Sequence, residues 1–241
     1  MKTGLDFLLA AKRCEIDGLQ RLAFTATLVD VTARLVHSLQ RERGLTNMVL
    51  ASQGTRFNEA RGAQLGASRQ VEAEWRAQFE RLDASAAQAG HGARLFSRIA
   101  YVLQGLDGLE PLRERLCGGE WNTARATEAY VRLIAALLAV VFEAADSATD
   151  PEVSRRLVAQ FNFMQGKEFA GQERALGAAL FARGQADAAE QQRLLHLIES
   201  QDRCLEVFGA FAPPETRAML TAPHAGGTLA ELERLRRVLC T

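Results

Sequence analysis

The sequence predicts an all-α fold of two antiparallel helical bundles that share long helices. Alanine, leucine, arginine and glutamate dominate, and these are strong helix formers. Only five prolines occur. No segment sustains the apolar–polar alternation rich in Val, Ile and Thr that a half-buried strand requires.

The breakers set the elements. A first helix is expected over 3–20, merging into a second over 22–52 that stops at Ser52-Gln53-Gly54. The next runs 57–88, up to Gly90-His91-Gly92, and another runs 93–116, ending at Cys117-Gly118-Gly119. A helix over 120–147 follows. Asp150-Pro151-Glu152 is a start signal: Asp caps, Pro suits the first helical position and Glu favours the positive end of the dipole. That helix is expected to reach Arg183-Gly184. One over 187–210 follows, and Pro213-Pro214-Glu215 opens a short one ending near Leu220. A linker, Ala222 to Gly227, leads to TLAELERLRRVLCT, with Leu229, Leu232, Leu235 and Leu239 on one face. An isolated helix of that length is marginal in water, so it docks on the body, pairs with a partner or begins a further element. The expected organisation is one helical domain over 1–221, made of two half-bundles with a break near 118–150, then a linker and short helix over 222–241. Short connections favour antiparallel neighbours.

The bulk properties narrow the function classes. The formal net charge is zero, so no global field draws the chain to nucleic acid or an acidic membrane. Its cations are nearly all arginine, and only Lys2, Lys12 and Lys167 are lysine. Cys14, Cys117, Cys204 and Cys240 lie far apart with no metal-ligand spacing, and read as reduced thiols. The longest apolar run, Leu133 to Phe142, is too short to span a bilayer, and Asp6 interrupts the N-terminal apolar stretch, so no signal peptide is read. The cytoplasm is the expected location, without membrane contact. No catalytic, metal or cofactor motif is present. His37 and His196 sit in apolar helical segments and read as core or boundary residues, and His91 and His224 lack an acid or nucleophile at a useful spacing. Trp75, Trp121 and the phenylalanines read as core.

Two segments carry a possible site. In LVHSLQRERGLTNMVL, residues 35–50, Gln40, Arg43, Gly44 and Asn47 share a helix face, whereas Arg41 and Glu42 point elsewhere. In FMQGKEFAGQERALG, residues 163–177, Lys167, Gly171 and Arg174 share a face. A mid-helix glycine costs about 1 kcal/mol relative to alanine, so something offsets it: close approach of another backbone, or room for a ligand. If the two segments face each other, Arg43, Lys167 and Arg174 gather around a gap, and a guanidinium fork suits a small planar oxyanion. From spacing alone, solvated ion pairs and packing glycines are the commoner cause. Glu42 and Glu173 read as ion-pair partners that orient the adjacent arginines.

LVHSLQRERGLTNMVLASQG and FMQGKEFAGQERALGAALFARG resemble the two signature segments of the nitrate- and nitrite-sensing (NIT) family. MKTGLDFLLAAKRCEID and QQRLLHLIESQDRCLEVF are similar to the NIT-containing, nitrate-responsive transcription antitermination regulators, and the resemblance spans roughly 1–215. It implies a sensor of two four-helix bundles that binds nitrate or nitrite between helices through arginines: by motif position Arg43 and Arg174, with Arg41 a weaker candidate. Lys167 matches the family's Lys-Glu pair, with a structural role as its alternative. The family favours ligand room as the reason for Gly44. Such regulators continue into an ANTAR domain, a small RNA-binding unit. The sequence ends at Thr241, too short to hold one, so RNA binding is not expected of this chain, and 228–239 reads as a remnant of a connecting coiled coil.

The expected function is therefore a non-catalytic, cofactor-free anion sensor. Its output would pass to a partner, or act through a homodimer, by way of the C-terminal helix. The alternative is a helical interaction or dimerisation scaffold whose glycine strips are packing devices. An enzyme is the least supported reading.

Overall fold

A computed structural model describes residues 3–80, 93–118, 120–221 and 227–240. Every regular element among them is a helix: α1 (Gly4–Ala51), α2 (Asn58–Glu80), α3 (Ala93–Asp107), α4 (Leu109–Cys117), α5 (Thr123–Asp146), α6 (Pro151–Arg183), α7 (Ala188–Phe211), α8 (Pro214–Thr221) and α9 (Thr228–Cys240). The breaker at 90–92 with His91, most of the linker at 222–227 and His224 lie outside the described residues.

The first two expected helices are one. Gly18 meets no steric obstacle and no proline interrupts the ladder, so α1 continues for 48 residues. The expected helix over 93–116 is instead two, broken at Gly108. Pro111 is the physical reason: it donates no N–H, and its ring clashes with the carbonyl four residues back, that of Asp107. The other starts follow their caps. Asp150 Oδ1 accepts from the N–H groups of Glu152 and Val153 at 2.8 and 3.0 Å. Asp187 and Glu190 form a reciprocal capping box, and Gly184 ends α6 in the left-handed conformation that glycine adopts without cost.

The chain forms two compact units, residues 1–149 and 150–241. In the first, α1 packs on α2 and α5, and α5 on α3. The pairs Thr32–Trp75, Ser38–Ser68 and Thr46–Arg61 run in opposite directions along α1 and α2, so those helices are antiparallel. The core gathers Leu28, Leu35 and Leu39 of α1, Ile99 and Val102 of α3, and Ile134, Leu137 and Val141 of α5. Trp75 is fully buried, donates to Thr32 Oγ1 at 2.9 Å and meets Phe79 edge-on. The guanidinium carbons of Arg125 and Arg115 lie over the Trp121 ring, 4.2 and 6.0 Å from its centroid.

In the second unit α6 and α7 pair antiparallel, with α9 against α7, and Leu220 of α8 closes over Ala159, Phe208 and Ala212. Gly166 lets α6 approach α7: a Cβ there would lie 3.2 Å from Cys204 Cβ.

Among the described residues α1 is the helix long and apolar enough to cross a membrane, and 44% of the qualifying stretch is buried within the protein.

Trp75→Ala removes the largest buried side chain and its hydrogen bond. It is expected to lower stability by about 3–5 kcal/mol, read as the shift in the urea midpoint followed by circular dichroism.

Candidate functional site

Glu42 falls on the apolar stripe of α1, three residues after Leu39 and seven after Leu35, so the packing that buries those leucines buries its carboxylate too. It is 0% exposed. A bare charge there would cost several kcal/mol, and the fold supplies partners. Arg113 of α4 donates from Nε and Nη2 to the two carboxylate oxygens at 2.9 and 2.8 Å, and the Tyr130 hydroxyl of α5 donates at 2.6 Å. Arg113, itself 3% exposed, also donates to Glu110 at 3.0 Å, and Glu110 takes a second guanidinium from Arg69. Burial works against the Arg113 charge, but the bonds and field of Glu42 outweigh it and raise its pKa above the ordinary guanidinium value. Burial first, then the Glu42 charge, pushes the Tyr130 phenol up as well.

A polar seam extends from this centre along α1. Arg61 Nε donates to Thr46 Oγ1 at 3.2 Å, Gln64 donates to Ser38 Oγ at 2.9 Å, and Asn47 Nδ2 donates to Thr127 Oγ1 at 2.9 Å.

The residues singled out in the sequence take distinct positions. Arg43 is 3% exposed, Gln40, Gly44 and Asn47 are half-buried, and Arg41 is exposed. A Cβ at Gly44 would meet nothing within 4 Å, so close helix approach does not account for this glycine, in contrast to Gly166. On α6, Lys167 and Arg174 reach solvent and Gly171 is half-buried. Desolvation by its surroundings lowers the Lys167 ammonium pKa, with Glu168 pulling it back. Arg41, Arg43 and their neighbours belong to the first unit, Lys167, Gly171 and Arg174 to the second.

Three expectations are corrected. Glu42 does not pair with an adjacent arginine; its partner is Arg113, 71 positions away. Glu173 likewise binds Arg236 of α9, at 2.7 and 2.8 Å, and accepts from Gln201 of α7 at 2.6 Å. Consecutive helical residues point about 100° apart, so neither glutamate faces the arginine next to it. His37 and His196 are exposed, on the solvent sides of their helices.

The Glu173 cluster seats the C-terminal helix. Arg236 spans Glu173 and Gln201, and Leu239 packs over Gly177, where a Cβ would stand 3.4 Å from its Cδ1. Burial raises the Glu173 pKa, but the Arg236 and Gln201 bonds overcome this and hold it below the usual glutamate value. The leucine face of α9 docks only in part: Leu235 and Leu239 are half-buried, while Leu229 and Leu232 remain exposed. Arg113, Tyr130, Gln201 and Arg236 were not singled out in the sequence. The available signal was Glu42 itself, an acid on an apolar stripe that demands a buried cation. Among the described residues no group of His, Cys, Asp and Glu is placed to hold a metal.

The fold is all-helical among the described residues, with a buried glutamate–arginine centre on each motif helix, and comparison with known proteins defines the class. The profile of the family described as nitrate and nitrite sensing, NIT, matches residues 34–241, and the chain belongs to that family. More particularly, it is 38% identical over 237 residues to a nitrate regulatory protein of Klebsiella oxytoca, covering 98% of this chain and 58% of that protein. The solved structure of the NasR transcription antiterminator superposes with a TM-score of 0.86 at 36% identity, over 98% of this chain and 63% of that one. The chain therefore spans about six-tenths of the length of these relatives.

Arg113→Ala strands the Glu42 carboxylate and is expected to cost about 3–5 kcal/mol, whereas Glu42→Leu with Arg113→Met, which removes both charges, is expected to recover most of that loss. Urea unfolding of the two variants checks this. The second centre has a pH signature. Because the folded pKa of Glu173 lies below its ordinary 4.5, its contribution is fully present above that value and fades as pH falls through the lower folded value. Hydrogen exchange in 228–240 should therefore accelerate in that acid window, and Glu173→Gln should produce the same fast exchange at neutral pH.

Proposed function

We propose that this chain is the sensing part of a nitrate- or nitrite-responsive regulator. The anion is recognised by the arginine-bearing faces of α1 and α6, chiefly by Arg43 and Arg174. Arg41 and Lys167 add positive charge, and Gln40, Gly44, Asn47 and Gly171 shape the surroundings. The observation that carries this reading is Gly44: family membership gives a reason for a glycine beside Arg43, and the open space at its Cβ position is what room for a small ligand requires. A guanidinium offers coplanar donors to a planar oxyanion.

The protein acts in the cytoplasm, without catalytic turnover, cofactor or metal. Its ligand state reaches an output partner, or a further domain of the kind its longer relatives have room for, through α9. That helix is anchored at Glu173, next to Arg174 in sequence, and its exposed Leu229 and Leu232 offer the contact. The chain itself binds no RNA in this reading.

Thermal unfolding at matched ionic strength tests the proposal. Nitrate or nitrite at a hundredfold excess over its dissociation constant stabilises the fold by about 2.7 kcal/mol, roughly 5–10 °C in Tm for a chain of this size, and chloride and sulfate do not. Arg174→Ala, at an exposed position, leaves the anion-free Tm nearly unchanged and removes the shift. Arg43→Lys keeps the charge but loses the planar fork, and weakens it. Gly44→Ala raises anion-free stability by about 1 kcal/mol and reduces the response. No selective shift in the wild-type protein refutes the sensing role, and a full shift in both arginine variants refutes the residue assignment alone.

A further inference from the structure

The face of the first unit formed by α3 and α5 carries a recess that the sensing residues do not use. The two helices run antiparallel: Arg94 of α3 binds Asp146 of α5 at 2.7 Å, and Gly105 of α3 lies against Leu133 of α5. Between these contacts is a cavity of about 310 Å³, lined by Arg98 and Tyr101 from α3 and by Arg132, Ala135, Ala136 and Ala139 from α5. The α5 residues recur at intervals of three, four and seven, so they share one helix face. Three methyl side chains keep the floor low, and two guanidinium groups and a phenol rise around it. None of the lining residues is acidic. Tyr101 is 64% exposed, and Phe142, on the same face of α5 beyond Ala139, is 52% exposed.

The two arginines are held loosely. Glu143 is bound by Arg94 at 3.0 Å, and Arg98 reaches it at 4.0 Å. Arg132 reaches Glu128 at 3.7 Å, with both side chains well exposed. Both distances exceed an ordinary charge-assisted hydrogen bond, so the two forks retain donors for carboxylates from outside. We propose that this groove docks an acidic amphipathic helix of a partner protein. Its carboxylates bind Arg98 and Arg132, and its apolar side chains lie on the alanine floor between Tyr101 and Phe142. Tyrosine, arginine and phenylalanine are enriched where protein interfaces are buried, and a helix laid in a groove is a recurring way to cover an apolar stripe. From Arg132 to Phe142 the face spans about 15 Å, roughly three turns of an occupying helix. A lone inorganic anion would leave both aromatic rings in water. A continuous polyanion, whether nucleic acid or an anionic membrane, meets Glu128 and Asp146 at the two ends of the α5 face, and these acids repel it. Discrete carboxylates in the middle of a helix avoid both. The proposal is independent of the anion-sensing reading.

The test is a selection on the full chain from a phage-displayed library of random peptides about 16 residues long, some four turns of helix. Enriched sequences are expected to carry two carboxylates beside an apolar stripe at helical spacing; no enrichment, or enrichment of sequences without acids, overturns the proposal. The strongest binder, synthesised with a fluorescein label, is then titrated by anisotropy. Arg98→Glu with Arg132→Glu is expected to weaken it at least tenfold and Tyr101→Ala severalfold. Arg156→Glu, an exposed charge reversal in the second unit, is expected to leave it unchanged. The same peptide with lysines in place of its acids is expected to bind the doubly reversed chain, which shows that the groove is still formed there. Equal affinity of the original peptide for the wild-type and doubly reversed chains, or an equal loss in Arg156→Glu, overturns the proposal. Loss without rescue by the lysine peptide places the effect on the fold rather than on the contact and also overturns it. Co-sedimentation of the wild-type chain with phosphatidylserine vesicles, abolished by the double reversal, would assign the groove to a lipid surface and defeat the proposal.

Discussion

The first unit is organised by the need to neutralise one charge. Glu42 lies on the stripe of α1 that makes the core, and no rotation of α1 exposes its carboxylate while keeping Leu35 and Leu39 buried. A carboxylate in that position demands a cation, and the cation comes from α4 with Tyr130 of α5 completing the shell. Three helices are thereby fixed against one another at a single point. The break at Gly108 belongs to the same solution: it frees α4 from the axis of α3, so that Arg113 enters on its own trajectory. The net stabilisation of such a pair is small, because desolvation consumes most of the Coulombic gain; its effect is on alignment. Sliding α1 by one turn against α5 would separate Glu42 from Tyr130 and Asn47 from Thr127 together, so the polar seam disfavours registers that apolar contacts alone would tolerate.

The second unit repeats the logic with a different outcome. Glu173 is again the acid of a Glu-Arg dipeptide, and again the arginine that binds it is remote. Here the partner sits on a short terminal helix rather than a core helix, and the cluster is partly open to water. The two centres therefore differ in what releases them. The first comes apart only with the core, whereas the second is held mainly by one bidentate pair and a leucine over a glycine. The molecule combines a locked charge cluster with a releasable one, and the releasable one lies one residue from Arg174.

Much of this architecture was legible in the sequence. The helices and most of their ends follow from capping chemistry: Asp150-Pro151, Asp187 with Glu190, and Gly184 do in three dimensions what their residue types imply. The two motif segments were legible as well, because glycine inside a helix contradicts propensity and draws attention. The misreadings of the two acids share one cause. Proximity in sequence was taken for proximity in space when Glu42 and Glu173 were matched to their neighbouring arginines, and helical rotation forbids that contact. The partners of both acids lie on other helices, and a single sequence carries no signal of which arginine arrives. Pro111 could have marked the break between α3 and α4. His37 and His196 were assigned by the apolarity of their segments rather than by helix face, and the face decides exposure.

The continuity of α1 has a mechanical consequence. One hydrogen-bond ladder runs from an exposed N-terminal arm, the stretch before Leu28, through Glu42 and Arg43 to Ala51, with no proline to act as a hinge. A helix of this kind transmits tilt without absorbing it. A reorientation of the buried half by about 5° would move the far end of the arm by about 3 Å over its length of roughly 36 Å, comparable to the packing distance between side chains. A change too small to disturb the core around Arg43 thus becomes a displacement of side-chain size at Leu5 and Leu8, which lie exposed. The arm thus magnifies any small rotation of the buried half of α1.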